Sequence, residues 1–415
     1  MKARPISISL SPNTQRDDVF LALKLIFQFW KWKKGKETLK LEEEFKKYMG
    51  AKYAFSFNSG RSSLFAILKS LDIKEGEEVL LQGFTCNAAV NPVIWAKLKP
   101  VFVDCNKDDY NIDVLDLQKK VSSKSKVVII QHTFGQPADI DGVLKVCNEN
   151  NLILIEDCAH SLGAKYKGKL VGSFGKASFF SFSRDKVISS VYGGMAVSND
   201  ERIGNNLKKI KEELKDSSSY FVFQQLLHPI LLNWLVLPIY RFFNLGKIFL
   251  VFFQILHILS KAVHYKEKRG KIPSYFPARM PNALSILALN QFKKLQYFNS
   301  HRKKMADFYY QNLKDSSFIL PSVFEERENI FLRFTIRHKD AWDIIYNAWD
   351  RENILIGDWY TSPIAPHDTI SEKMGYLGDC KNAKALSKET FNLPTHINLS
   401  FEDAKRIVSF LKKWK

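Results

Sequence analysis

Short apolar runs that alternate with helical patterns constrain the fold of this chain more than any other feature. The segment Val114–Val121 has helical spacing and lies between two of the runs. Runs rich in β-branched and aromatic residues are typical of strands buried on both faces of a sheet. Such alternation predicts an α/β fold with a doubly wound, mostly parallel sheet. The runs are Val79–Gln82, Pro100–Asp104, Val127–Ile130, Leu152–Ile155 and Phe179–Ser183.

Reactive side chains follow two of these runs. Asp157 comes shortly after Leu152–Ile155, Ser181 lies within the run Phe179–Ser183, and Lys186 follows that run. Because α/β sheets bind ligands at the carboxyl ends of their strands, we expect these groups to lie close together. Pyridoxal phosphate (PLP) chemistry needs such a set. A lysine amine forms a Schiff base with the aldehyde, a carboxylate holds the pyridinium nitrogen protonated, and a hydroxyl helps to bind the phosphate.

The same residues also have an ordinary structural explanation. A lysine that follows a strand is commonly a solvated surface residue, and an aspartate at a strand end commonly caps a helix or forms a turn. Spacing alone leaves both explanations open.

A candidate anion site follows the predicted strand Tyr53–Phe57. The next residues begin a helical pattern that continues to Leu71. Backbone N–H groups and the helix dipole make the start of such a helix a binding site for phosphate, although an ordinary helix cap has the same pattern. The residues of this turn are Ser59, Gly60, Arg61, Ser62 and Ser63.

Together these motifs resemble the DegT/DnrJ/EryC1/StrS family of PLP-dependent sugar aminotransferases. The resemblance extends, with gaps, from about Leu39 to the C-terminus. The motifs that carry it are His132–Asp139, Glu156–His160, Gly163-Ala164, Gly172–Gly175, Ser181-Phe182 with Lys186, and Gly193-Gly194.

The resemblance implies a fold-type I PLP-dependent transferase with a smaller C-terminal α+β domain, active as a homodimer. It implies that Lys186 binds the cofactor and then acts as general base and acid, and that Asp157 pairs with the pyridinium nitrogen. His160 is implied to lie close to the ring, while Ser181 and the turn from Ser59 to Ser63 hold the phosphate. The implied reaction moves an amino group from glutamate or glutamine to a nucleotide-linked keto sugar of polysaccharide or antibiotic biosynthesis.

Three positions depart from the family pattern. Arg61 stands where a threonine is common, so Ser62 or Ser63 would have to supply the hydroxyl. Cys86 stands where the family has the aromatic ring that stacks on the cofactor. Either Phe84 takes that role, or the Cys86 sulfur and Asn87 pack there instead. Arg279 matches an arginine that reaches the partner's active site. The asparagine usual two residues before it is Pro277, which has neither a side-chain amide nor a backbone N–H.

Two alternatives remain open, and the three departures motivate the second. One is another PLP reaction on a sugar, such as a dehydration. The family's dehydratases carry histidine at the position of Lys186, which argues against this. The other is a catalytically inactive, membrane-associated scaffold of the same fold.

The charge and the cysteines restrict the partners and the compartment. The net charge of +19 is spread over the chain without a nucleic-acid motif, and the clusters at 31–36 and 261–271 flank apolar segments. This favours an anionic membrane surface over nucleic acid.

The five cysteines form no CxxC pair, which argues against a disulfide framework or a metal site. Without an apparent signal peptide, the chain is predicted to be cytoplasmic, peripheral on the inner face of the membrane.

The most unusual segment is Tyr220–Leu259, which is mostly apolar but is interrupted by prolines and charges such as Arg241. An arginine near its centre makes a spanning helix costly. We therefore predict two short helices, broken near Asn244–Gly246, and membrane binding through residues 220–264. A buried oligomer contact or a hydrophobic subdomain is the alternative.

The predicted division is an arm and helix at 1–38, a large PLP-binding domain at 39–216, this insertion at 217–270 and a small domain at 271–415.

Overall fold

A computed structural model describes residues 5–414 of the chain, so residues 1–4 of the predicted arm lie outside the described residues. The α-helices are α1 Arg16–Phe27, α2 Glu37–Met49, α3 Gly60–Ser70, α4 Asn87–Trp95, α5 Val114–Lys120, α6 Ile140–Glu149, α7 Glu201–Glu213, α8 Ser219–Leu231, α9 Leu245–Ile255, α10 Asn282–Phe292, α11 Leu295–Leu313, α12 Ala341–Glu352, α13 Lys381–Glu389 and α14 Phe401–Leu411. The strands are β1 Ile6–Ser7, β2 Tyr53–Phe57, β3 Glu78–Gln82, β4 Thr85–Cys86, β5 Lys99–Val103, β6 Ser125–Gln131, β7 Ile153–Asp157, β8 Lys165–Tyr166, β9 Lys169–Leu170, β10 Ala177–Ser181, β11 Gly194–Ser198, β12 Arg327–Glu328, β13 Phe334–Arg337, β14 Ile354–Leu355, β15 Ile364–Ala365 and β16 Thr390–Leu393.

A seven-stranded sheet organises the large part of the molecule, with the strand order β2-β11-β10-β7-β6-β3-β5. Strand β11 runs antiparallel to both of its neighbours, and the remaining neighbours pair in parallel. The predicted mostly parallel sheet is therefore confirmed. The carboxyl ends of β2, β3, β6, β7 and β10 lie along the same edge of the sheet.

Helices cover both faces of this sheet because successive strand residues point to opposite sides. In β10, Phe179 packs in the core with α3, α4, α7 and α13, whereas Phe180 packs in the core with α1, α2, α6, α8 and α10. A third core, in the C-terminal region, surrounds the antiparallel pair β13–β16 and includes α12, α14 and the second half of α11. This region has the predicted α+β character.

The N-terminal arm crosses the molecule to reach elements that are distant in sequence. Strand β1 pairs in parallel with β14, where Ile6 lies opposite Ile354. Further along the arm, the Asn13 side-chain amide donates to the carbonyl of Lys186 at 2.6 Å. The arm therefore joins the C-terminal region to the loop that carries Lys186.

The hydrophobic insertion is broken as predicted. A π-helical turn at Leu232–Val236 follows α8, and a 3-10 turn at Phe242–Asn244 leads into α9. At Gly246, a Cβ atom would lie 2.2 Å from the Val236 carbonyl oxygen, so only glycine permits this close return of the chain. Over residues 5–414, the structure contains no helix that is long and apolar enough to cross a membrane.

The two helices of the insertion differ in burial. Helix α8 places Phe221, Val222 and Leu226 in the core beside the sheet. Helix α9 leaves Ile248 and Phe252 at 57% and 50% exposed. Of these two helices, α8 is buried as a hydrophobic subdomain would be, whereas α9 leaves large apolar side chains exposed.

Candidate active site

A pocket lies at the carboxyl edge of the sheet, and it brings together residues that are far apart in sequence. The N-terminal turn of α3, the ends of β7 and β10 and the following loops form most of its wall. Val263 of the insertion and Trp359 of the C-terminal region complete the wall. The predicted site residues that line it are Ser59, Gly60, Arg61, Cys86, Asp157, His160, Ser181 and Lys186.

Lys186 lines the pocket on a loop that the N-terminal arm holds in place. Its Nζ atom lies 4.8 Å from the centre of the Trp359 ring. Desolvation lowers the pKa of Lys186 to about 8, against the raising effects of Cys86 and Asp157. A larger fraction of the amine is therefore uncharged near neutral pH, which is the form that acts as a nucleophile.

Asp157 ends β7 and is buried at the pocket wall. Among residues 5–414, its carboxylate accepts one hydrogen bond, from the backbone N–H of Ala159 at 2.9 Å. Burial raises the pKa of Asp157 to about 6, although the Ala159 N–H and the charge of Lys186 act in the opposite direction. A buried carboxylate with a single hydrogen bond can bind a further cationic or N–H group.

His160 presents a neutral ring to the pocket. Its Nδ1 accepts the backbone N–H of Phe134 at 3.3 Å, so the proton lies on Nε2, which is 3.5 Å from the Tyr360 hydroxyl. Burial lowers the pKa of His160 well below its usual value, and the positive charge of Lys186 adds to this shift. The ring stacks on Trp359 with a centroid distance of 5.2 Å. His160 thus contributes a fixed, uncharged surface.

Glu156 and His132 lie outside this pocket and are fully buried. Glu156 accepts backbone N–H bonds from Gly172, Phe174 and Gly175 at 2.6–2.7 Å, and its other contact is the Nε2 atom of His132 at 3.2 Å. The Nδ1 atom of His132 accepts the Ala138 N–H at 3.0 Å. Both ring nitrogens of His132 therefore take part in hydrogen bonds inside the protein, which indicates a structural role.

The turn at the start of α3 is tightly packed against β10 and β11. The Ser59 side chain accepts the N–H of Ser62 at 3.2 Å and so caps the helix. A Cβ atom on Gly60 would lie 2.9 Å from the Cβ of Ser181, and one on Gly194 would lie 2.5 Å from the Gly60 nitrogen. These glycines allow the turn and Ser181 to form one surface.

Two predicted hydroxyl groups of this turn are used inside the protein. Ser62 Oγ donates to Asn58 Oδ1 at 2.6 Å, and Ser63 Oγ donates to the carbonyl of Ser59 at 3.2 Å. Neither residue lines the pocket. Of the three side chains considered for the threonine position, only Arg61 reaches the pocket, where it forms a buried ion pair with Glu267.

Phe84 and Arg279 also lie outside the pocket. Phe84 is fully buried behind it, with its ring edge-to-face against Tyr360 at 5.4 Å. Arg279 donates to the carbonyls of Lys211 and Glu212 near the end of α7. Of the two candidates for the stacking position, Cys86 is the one that faces the pocket.

Trp359 and Tyr360 are pocket residues that were not predicted as site residues. Their rings stack with an interplanar angle of 7°. Arg184 and Asp185 also line the pocket. The clearest signal for these two was their position, between Ser181 and Lys186 on the loop that the motif defines.

The donor set of the pocket fits PLP. Asp157 has spare acceptor capacity for a protonated ring nitrogen, and Lys186 Nζ takes part in no hydrogen bond within residues 5–414. The α3 turn with Ser181 forms a surface for a phosphate. A buried guanidinium nitrogen, Arg184 Nε, has no partner in the described chain.

The sequence model of the DegT/DnrJ/EryC1/StrS aminotransferase family matches residues 14–221 and 254–412. The chain belongs to this family. The predicted resemblance is confirmed, and the unmatched residues 222–253 fall within the predicted insertion. The chain is therefore a PLP-dependent enzyme of a family of sugar aminotransferases.

Individual relatives agree with this assignment. The chain is 25% identical to the GDP-perosamine synthase of Caulobacter vibrioides over 381 residues, which cover 91% of this chain and 90% of that protein. The aminotransferase PseC of Helicobacter pylori, involved in pseudoaminic acid biosynthesis, superposes with a TM-score of 0.76 at 22% identity over 99% of both chains. An Escherichia coli GDP-4-keto-6-deoxy-D-mannose-3-dehydratase with bound hydrated PLP superposes with a TM-score of 0.75 at 20% identity over 99% of both chains. The fold-type I prediction is confirmed.

Proposed function

We propose that this enzyme transfers an amino group from glutamate or glutamine to a keto sugar carried on a nucleotide, for polysaccharide or antibiotic biosynthesis. The observation that carries the proposal is the desolvated Lys186 amine in one pocket with the buried Asp157 carboxylate. The GDP-perosamine synthase relative supports a nucleotide-linked sugar as the acceptor.

Several of the pocket residues have a definite task in this proposal. When bound, PLP supplies the electron sink for amino transfer. Lys186 binds the cofactor, and its Nζ later accepts and returns a proton as general base and acid. The Asp157 carboxylate holds the proton on the ring nitrogen, and His160 with Trp359 restricts the position of the ring. Ser59, Gly60 and Ser181 bind the phosphate.

The fold alone does not distinguish amino transfer from dehydration, because a dehydratase shares it. Lys186 supports amino transfer, since the family's dehydratases carry histidine at this position.

The test is the visible absorption spectrum of the purified protein, with and without glutamate or glutamine. We expect a band that borohydride abolishes and that either amino donor shifts. Lys186→Ala should lack the band, and Ser62→Ala, which changes a hydroxyl outside the pocket, should retain it. A protein that stays colourless after PLP is added would overturn the proposal and favour the scaffold alternative.

We further propose that the insertion holds the enzyme on an anionic membrane surface. Helix α9 exposes Ile248, Phe252 and Ile255. On the neighbouring surface, Phe20 of α1 packs edge-to-face on Trp234 at 5.8 Å, and both rings are more than half exposed. These exposed aromatic and aliphatic side chains are of the kind that interfacial anchors insert into a membrane.

The charges around this surface favour anionic lipid. Glu267 is the sole acidic residue of the sequence between 217 and 270, and it is buried against Arg61. The insertion therefore presents basic charge without acidic charge to solvent, for example at Lys247 and Lys261. Such a surface is attracted to acidic headgroups while its aromatic residues enter the interface.

Flotation with liposomes tests this. Ile248→Glu combined with Phe252→Glu should abolish co-flotation with anionic liposomes, and neutral liposomes should bind little protein. Leu115→Glu, on exposed α5, is the matched control. Deletion of residues 220–264 is unsuitable, because it removes core residues of α8 and Val263 of the pocket. Equal flotation of the double variant and the wild type would contradict membrane binding.

We also propose a cytoplasmic homodimer in which Arg279 serves the partner's pocket. Arg279 lies outside the pocket of its own chain, which supports a role in trans. Sedimentation velocity should give a dimer. Mixing Lys186→Ala with Arg279→Ala chains should recover part of the activity that each variant lacks. Absence of recovery in proven mixed dimers would exclude the role in trans.

A further inference from the structure

Arg184 is a buried cation that the proposed reaction leaves without a task. It is only 7% exposed and lines the active-site pocket. Its Nη2 donates to Ser260 Oγ at 2.5 Å, whereas its Nε has no hydrogen-bond partner within residues 5–414. No carboxylate of the described chain forms an ion pair with it. A desolvated guanidinium with an open donor is costly unless an anion completes it.

Arg61 places a second guanidinium at the same end of the pocket. Its Cζ lies 5.8 Å from the centre of the Tyr192 ring, and the Cζ of Arg184 lies 5.7 Å from that centre. Glu267 neutralises Arg61. Arg184 forms no ion pair within the described chain, and Asp185 acts on it only through space. Both guanidinium groups lie beside the N-terminal turn of α3, where the helix dipole also favours an anion.

The end of the insertion holds this arrangement together. Ser260 accepts from Arg184 and donates to Gln225 of α8 at 2.8 Å. The hydroxyl of Tyr192 donates to the Lys261 carbonyl at 2.8 Å. Residues 260–267 are therefore the wall that sets the positions of both arginines.

We propose that Arg184 and Arg61 form a phosphate-binding subsite built entirely within one chain. Its ligand is a phosphate group, and on the proposed function the first candidate is the cofactor's phosphate. The asparagine that usually stands two residues before Arg279 is Pro277 in this chain, which has no side-chain amide. The subsite supplies positive charge in place of that amide. The planar guanidinium of Arg184 suits two parallel hydrogen bonds to phosphate oxygens.

Comparison of PLP with pyridoxal, which lacks the phosphate, isolates the contribution of this subsite. In absorption titrations, Arg184→Met should weaken PLP binding about 10- to 100-fold, the effect of one charge-assisted contact, and leave pyridoxal binding unchanged. Arg184→Lys should restore part of the PLP affinity. Ser62→Ala is the control for changes at the α3 turn, and thermal melts of each variant verify folding.

A second titration, with GDP and UDP, identifies the source of the phosphate. If Arg184→Met weakens nucleotide diphosphate binding and spares PLP, the subsite holds the substrate's phosphate. If all of these affinities are unchanged, the phosphate subsite is refuted. The proposed function is tested separately by the wild type: a protein that binds PLP but does not respond to glutamate or glutamine refutes amino transfer while the subsite stands.

Discussion

Glu156 and Asp157 are consecutive carboxylates at the end of β7, and the chain uses them in opposite ways. Glu156 accepts three backbone N–H bonds and contacts His132, away from the pocket. Asp157 accepts one backbone N–H bond and faces the pocket. Because successive strand residues point to opposite sides, one residue position separates a structural anchor from a ligand site.

Glu156 stabilises the folded chain, whereas Asp157 lowers its stability in exchange for a reactive pocket. The hydrogen bonds of Glu156 fix the Gly172–Gly175 loop. Asp157 and Lys186 have shifted pKa values because burial removes water that no protein group fully replaces. Buried ionisable side chains with few hydrogen-bond or charge partners are typical of active sites.

Substitution of Glu156, the structural anchor, should change stability more than substitution of Asp157 or His132. Glu156→Ala should lower the free energy of unfolding of the cofactor-free protein by about 3–5 kcal/mol, because it leaves backbone N–H groups of the loop buried without an acceptor. Urea denaturation followed by fluorescence measures this. A loss below about 1 kcal/mol would show that the loop finds other acceptors.

The opposite sign is expected at the neighbouring position. The pKa of Asp157 rises from 3.8 to about 6 on folding, so the folded chain binds a proton more tightly than the unfolded chain and stability falls as pH rises between these values. Asp157→Asn removes this loss and should stabilise the cofactor-free protein by up to about 3 kcal/mol above pH 6.

The gain from Asp157→Asn should shrink to below about 1 kcal/mol at pH 4, where the carboxyl group is protonated in the folded state and about half protonated in the unfolded state. Urea denaturation at pH 8 and pH 4 measures the difference. The same variant should bind PLP more weakly, because its neutral amide holds the ring nitrogen's proton less strongly. A variant equally stable to the wild type at pH 8 would contradict the assigned cost of burial.

The smallest effect is expected at His132. His132→Ala should cost about 2 kcal/mol, since it removes a neutral donor to Glu156 and the acceptor of the Ala138 N–H. PLP affinity should change less than about twofold, whereas Asp157→Asn should change it strongly. If His132→Ala weakened PLP binding as much as Asp157→Asn does, His132 would belong to the cofactor site.

Sequence patterns predicted the strands because burial on both faces leaves a local signal of apolar residues. They predicted Asp157, Ser181 and Lys186 because these follow strands at a shared edge. The two hydroxyls of Ser62 and Ser63 were harder to assign, because one helical turn decides whether a side chain faces the pocket or the interior. Trp359 reaches the pocket only through the packing of the C-terminal region, so no local spacing indicates its place there.

The N-terminal arm has a consequence for the order of assembly. Its strand pairs with Ile354–Leu355, and its Asn13 supports the carbonyl of Lys186. The ribosome makes the arm long before Ile354–Leu355, so the strand of the arm has no partner until that later segment has been synthesised. Contacts this distant in sequence form late, because long loops are costly to close. We therefore expect the Lys186 loop to be among the last parts of the nascent protein to become rigid, so that cofactor capture follows translation.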